Sequence, residues 1–115
     1  MVNLGCPDVG ELVHFYARLL GWRVATDEPG WATLQNPAGG VGLAFQREPH
    51  HVAPSWPAGP GDQQLQLHLE IEVDDLDAAS AHAVACGSTP ASFQPQEDVR
   101  VHLDPAGHPF CLYLG

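Results

Sequence analysis

The sequence predicts an α+β fold made of two tandem modules, each a strand, a helix and three further strands. Three observations predict it. The tetrapeptide Asx-Pro-Ala-Gly occurs twice, in "QNPAGGVGLAFQ" (residues 35 to 46) and "LDPAGHPFCLYL" (103 to 114), each time followed by an apolar run. The stretch "PDVGELVHFYARLLGWRV" can be laid on "VDDLDAASAHAVACGSTP", matching Asp8 to Asp74 and Gly21 to Gly87, an offset of 66, while the two turns are offset by 68. Apolar residues then change from helical to alternating spacing in the same order in each half. An internal repeat must be recognised first, because it decides how every later segment is assigned.

Each module follows from its punctuation. Asp8 with Glu11 three residues later forms a capping-box-like start, and Asp74 with Asp77 places acidic groups where first-turn N–H groups need them. Leu12, Phe15 and Leu19 recur at helical spacing before Gly21, as do Leu76, Ala79, Ala83 and Cys86 before Gly87, so both helices are expected to end at the glycines. Short extended stretches follow (22 to 26 and 88 to 93). Hairpins through the Asx-Pro-Ala-Gly turns come next, with strands over 31 to 35 and 41 to 46, and over 99 to 103 and 109 to 114. Ahead of the helices stand "VNLGC" and "LQLHLEIEV". In the first of these, Asn3 and Gly5 fall where helix-facing apolar residues are expected, so this edge is expected either to take pairing from a second subunit or to reflect a start shorter than in similar chains.

Between the modules, "REPHHVAPSWPAGPGDQQ" carries Pro49, Pro54, Pro57 and Pro60, which exclude helix and central strand. It reads as a surface linker; a lid formed by Trp56, His50 and His51 ranks second. The organisation is thus one domain over 1–115: module 1 (1–46), linker (47–64) and module 2 (65–115).

Composition limits the function classes. A length of 115 residues with 44% hydrophobic content suits one domain with a real core. Four basic against 14 acidic residues leave a net charge of -10, which repels phosphate backbones and anionic lipids, so neither nucleic acid nor membrane is an expected partner. All four cations are arginines, which removes Schiff-base and amine-nucleophile chemistry. Three cysteines without CxxC spacing, no basic leader and no apolar run of membrane-spanning length make a cytoplasmic protein the expectation. Phosphate loops, G-x-S-x-G elbows and H-E-x-x-H are absent from the sequence.

With "FYARLLGW" after the first helix start, "LHLEIEVDDLDAA" opening the second module and "DPAGHPFCLY" closing it, the chain resembles the vicinal oxygen chelate superfamily over nearly its whole length. It is most similar there to short glyoxalase-like proteins, whose relatives include glyoxalase I, extradiol dioxygenases and the bleomycin- and fosfomycin-resistance proteins. The resemblance implies paired βαβββ modules forming a curved mixed sheet around a cavity, a homodimer, and often a divalent metal. It implies metal ligands on the first strand of each module and, typically glutamate, on the last strand of each. Carried over, these positions fall on His68 and, by the offset of 66, Val2, and on Cys111 and, by the offset of 68, Leu43. Since a catalytic ion needs about three protein ligands, a bound metal is not the expectation. His68 and Cys111 could hold a soft ion only if Glu70 or His102 joined them.

Alternation, in which i and i+2 share a face, turns Leu67, Leu69, Ile71 and Val73 toward the helices and His68, Glu70 and Glu72 toward the cavity. Extending polar-inward to the other strands adds Arg100, His102, Cys111 and Tyr113, and the offsets add a greasy wall of Leu34, Leu43 and Phe45, with Trp56 as a cover. Such a pocket suits a small organic molecule. One expectation is a glyoxalase-type lyase or dioxygenase relative, with His68 and Glu70 catalytic. The alternative is a non-catalytic protein that sequesters a cationic or aromatic compound.

Overall fold

A computed structural model describes residues 1–115. The chain divides into two compact units, Met1–His51 and Val52–Gly115. The first contains β1 (Val2–Cys6), α1 (Val9–Leu20), β2 (Arg23–Glu28), β3 (Trp31–Gln35) and β4 (Leu43–Arg47). The second contains β5 (Leu69–Val73), α2 (Leu76–Cys86), β6 (Thr89–Pro90), β7 (Val99–Leu103) and β8 (Pro109–Leu114). Each unit has one mixed four-stranded sheet, ordered β1-β4-β3-β2 and β5-β8-β7-β6, whose first pair is parallel and whose others are antiparallel. Two βαβββ modules of an α+β fold are therefore present. No helix is long and apolar enough to cross a membrane, and none of the three cysteines is in a disulfide.

The repeated tetrapeptide is one turn used twice. The Asn36 and Asp104 side chains each accept from the backbone N–H two residues on, at Ala38 and Ala106 (both 2.9 Å), which is how Asx residues hold a turn. Gly39 (φ 79) and Gly107 (φ 87) then take the left-handed conformation that reverses the chain. Asp104 goes further: its buried carboxylate also accepts from His108 N–H (3.0 Å) and from His108 Nδ1 (2.8 Å).

The register corrects the constant offsets. α2 is capped by Asp75, whose side chain accepts from Ala78 N–H, as Asp8 accepts from Glu11 N–H. Asp8 therefore corresponds to Asp75 and not to Asp74. In the hairpins, Leu43 lies nine residues after its partner Leu34, whereas Phe110 lies eight after His102. This one extra residue in the first turn makes Phe110 the counterpart of Leu43, so Cys111 corresponds to Ala44. The parallel pairs Val2↔Leu43 and Leu69↔Phe110 then match His68 to Met1 and Glu70 to Asn3. In a strand, a slip of one residue exchanges the two faces.

That exchange places Leu34, Leu43 and Phe45 in the core of the first unit. All three are buried, and the Phe45 ring stacks on Tyr16 of α1 at 5.7 Å. Leu43 and Phe45 line neither cleft, which corrects the predicted greasy wall at these two positions, whereas Leu34 borders a small cleft of the first unit. Leu4 and Cys6 are the buried residues of β1, while the Asn3 amide donates to Gln46 Oε1 on the other side. β1 is paired along one side by β4 and forms the outer strand of its sheet, so its other edge has no strand partner within the unit.

Candidate functional site

In the second unit β5 alternates as expected from Leu69 on, with Leu69, Ile71 and Val73 half-buried and Glu70 and Glu72 exposed, whereas Leu67, expected to face the helices, precedes the strand and is exposed. Parallel pairing sets Glu70 beside Cys111 and Glu72 beside Tyr113. On β7 the residues opposite Cys111 and Tyr113 are Val101 and Val99. Directly paired residues share a face, so the wall that carries Cys111 continues in valines. Arg100 and His102 lie on the other side, and two predicted cavity residues are thereby moved.

His102 is fully buried. Its Nε2 lies 2.7 Å from Ser80 Oγ on α2, its Nδ1 lies 2.8 Å from Ser88 Oγ, and its ring stacks on Phe110 at 5.7 Å. A neutral imidazole has one donor and one acceptor, and hydroxyls can supply the complement of each. Burial pushes its pKa below the ordinary value. Arg100 donates to the carbonyls of Glu97 (2.9 Å) and Val99 (3.1 Å). Polarity misled the face assignment here because a buried histidine with two serine partners has the same one-letter pattern as a cavity-facing one.

The structure does bring together His68, Glu70, Cys111, Trp56 and Tyr113, around a cleft of about 600 Å³. His68 Nε2 and Glu70 Oε1 are 2.7 Å apart. A carboxylate only accepts, so Nε2 carries the proton of that bond. The donor atoms of His68, Glu70 and Cys111 all lie within 4.8 Å of one another. Burial pushes the Cys111 thiol up to about 11, with the charge of Glu70 and a hydrogen bond to it acting in the same direction. At neutral pH that sulfur is a protonated, weakly reactive group. Glu72, at the far end of β5, is exposed and does not line the cleft.

Trp56 comes from the segment read as a linker. Its ring lies over His68 (centroids 4.7 Å) and meets Phe93 edge-on (5.3 Å). The segment is held: Ser55 N–H donates to Gln63 C=O at 2.8 Å. Phe93, Asp98 and Val99, absent from the sequence-based expectation, also line the cleft, with Pro95, Gln96 and Leu114. Phe93 is presented by its neighbour Gln94, whose amide donates to Ala91 C=O and Val101 C=O (both 2.9 Å) and accepts from Val101 N–H (3.0 Å), in place of a missing strand. The one available signal was a lone aromatic in "ASFQPQED".

Whether these residues fit a divalent ion depends on the donor set. Nitrogen, oxygen and sulfur within 4.8 Å suit a borderline ion such as zinc. All three come from the second unit, and their counterparts Met1, Asn3 and Ala44 supply no acidic, imidazole or thiol group. The fit is to a three-donor site in one module. A smaller cleft of about 320 Å³ in the first unit, lined by Met1, Thr33, Asn36 and the glycines of the hairpin, has no carboxylate, histidine or cysteine.

A family model described as a glyoxalase-like domain matches residues 1–113. No curated protein matches the chain in sequence. Among solved structures, a possible glyoxalase from Bacillus cereus aligns over 97% of this chain and 94% of its own, with a TM-score of 0.71 and 14% identity. The fosfomycin resistance protein FosX from Mesorhizobium loti aligns over 99% and 88%, with a TM-score of 0.71 and 14% identity. A bleomycin-binding protein from Streptomyces verticillus, solved with copper(II)-bleomycin, aligns over 99% and 93%, with a TM-score of 0.60 and 22% identity. At these identities the likeness is one of fold.

Proposed function

Since the chain belongs to the glyoxalase-like domain family, we propose that it binds a small organic molecule in the cleft of its second unit. The observation that carries this reading is the pairing of an aromatic cover, Trp56 with Phe93, with a polar floor of His68, Glu70 and Cys111. Concave sites with apolar walls and a few convergent polar groups are the usual make-up of ligand pockets. Glu70, tied to His68 and half exposed, is the group placed to accept a proton from a bound molecule.

The test uses three probes of one shape, benzylamine, benzyl alcohol and phenylacetate, followed by saturation-transfer NMR. At least one is expected to give transfer that disappears in Trp56→Ala. If none of the three binds at millimolar concentration, the reading is wrong.

The three-donor cluster supports a second reading, in which the same floor holds a divalent ion through His68 Nε2, a Glu70 oxygen and Cys111 Sγ. A bound ion of that kind would act as a Lewis acid on an oxygen of the ligand. Glu70 would then give up its hydrogen bond to His68, and Trp56 would stay over the imidazole.

A further inference from the structure

The charge around the cleft is one-sided. Of the acidic residues, nine lie in Val52–Gly115 (Asp62, Glu70, Glu72, Asp74, Asp75, Asp77, Glu97, Asp98, Asp104), against one arginine and no lysine, so this unit carries -8 of the chain's -10. That arginine, Arg100, is turned to the Glu97 and Val99 carbonyls, and it does not line the cleft. Two carboxylates, Glu70 and Asp98, do line it, together with the rings of Trp56, Phe93 and Tyr113.

An anionic ligand entering this cleft would meet two carboxylates and no lysine or arginine. A neutral ligand would gain the apolar contacts and at most hydrogen bonds to the carboxylates, without charge attraction. A cation gains from both components, because ring faces attract positive charge and a one-sign cleft concentrates counter-charge from solution. We propose that the ligand of this cleft is a small organic cation, an ammonium or amidinium carried on an apolar body. The cationic head sits between Glu70 and Asp98, and the body packs under Trp56 and Phe93. This rests on the cleft reading above and narrows it to a ligand class.

Binding of benzylammonium, benzyl alcohol and phenylacetate is measured by calorimetry on protein treated with a chelator, so that metal plays no part. Benzylammonium is expected to bind about tenfold or more tighter than benzyl alcohol, with no measurable phenylacetate binding. Raising salt from low to high ionic strength should weaken benzylammonium severalfold and leave benzyl alcohol unchanged. Glu70→Gln with Asp98→Asn should bring the cation down to the level of the alcohol. Equal affinity for alcohol and cation, or preference for phenylacetate, overturns the cation proposal while leaving the cleft reading intact; loss of all three probes removes both. Should the double variant fail to fold, the salt dependence of the native protein still decides.

Discussion

Replacing His102 by alanine is expected to destabilise the protein by about 3–5 kcal/mol, since it removes a fully buried ring and leaves two serine hydroxyls without their partner. The measurement is denaturant unfolding at pH 7.5. The same residue sets a pH dependence whose sign follows from its lowered pKa. In the unfolded chain histidine takes up a proton near pH 6.5, whereas the folded protein keeps His102 neutral to lower pH. The unfolded state therefore binds more protons below 6.5, and stability falls as pH drops from 6.5 toward the folded pKa, by up to about 1.4 kcal/mol per pH unit. Above 6.5 the contribution is complete. His102→Gln should flatten this component of the slope; an unchanged slope between pH 6.5 and 5 would show that His102 is not held neutral.

Zinc is expected to raise the melting temperature by several degrees, because a ligand at a hundredfold excess over its Kd adds about 2.7 kcal/mol. His68→Ala and Cys111→Ser should each abolish the rise, as only three protein donors are present. The thiol at about 11 must lose its proton on binding, so zinc affinity should tighten about tenfold per pH unit near neutrality, with one proton released per ion. Calorimetry in buffers of different ionisation enthalpy reads that proton. A rise that survives both substitutions would place the ion elsewhere, and no rise with zinc, nickel, manganese or iron would remove the metal reading.

The parts of the fold legible in the sequence are those with short-range causes. Asp8 and Gly21 bound one helix, Gly87 closes the other, and the Asx-Pro-Ala-Gly turns mark the hairpins, because capping and left-handed glycines act within a few residues. His68, Glu70 and Cys111 converge because neighbouring parallel strands put Glu70 beside Cys111, a pairing the module order implies. Facing on β7 and in the first unit was not legible. It depends on whether the turn between two strands holds one residue more or fewer, which turned Leu34, Leu43, Phe45 and His102 to the core side. Trp56 was legible as an aromatic free of regular structure and able to cover a ligand, but its contacts with His68 and Phe93 were not, since proline content excludes helix and strand without saying what a loop packs upon.

The most direct test of the cleft in the second unit is amide and indole chemical-shift mapping on ¹⁵N-labelled protein titrated with benzylammonium. Perturbations confined to Trp56, His68 to Glu70, Phe93 to Val99 and Cys111 to Tyr113 are predicted. Shifts concentrated instead at Ala25, Thr33 and Asn36 to Gly42, around the hairpin cleft of the first unit, would contradict the account.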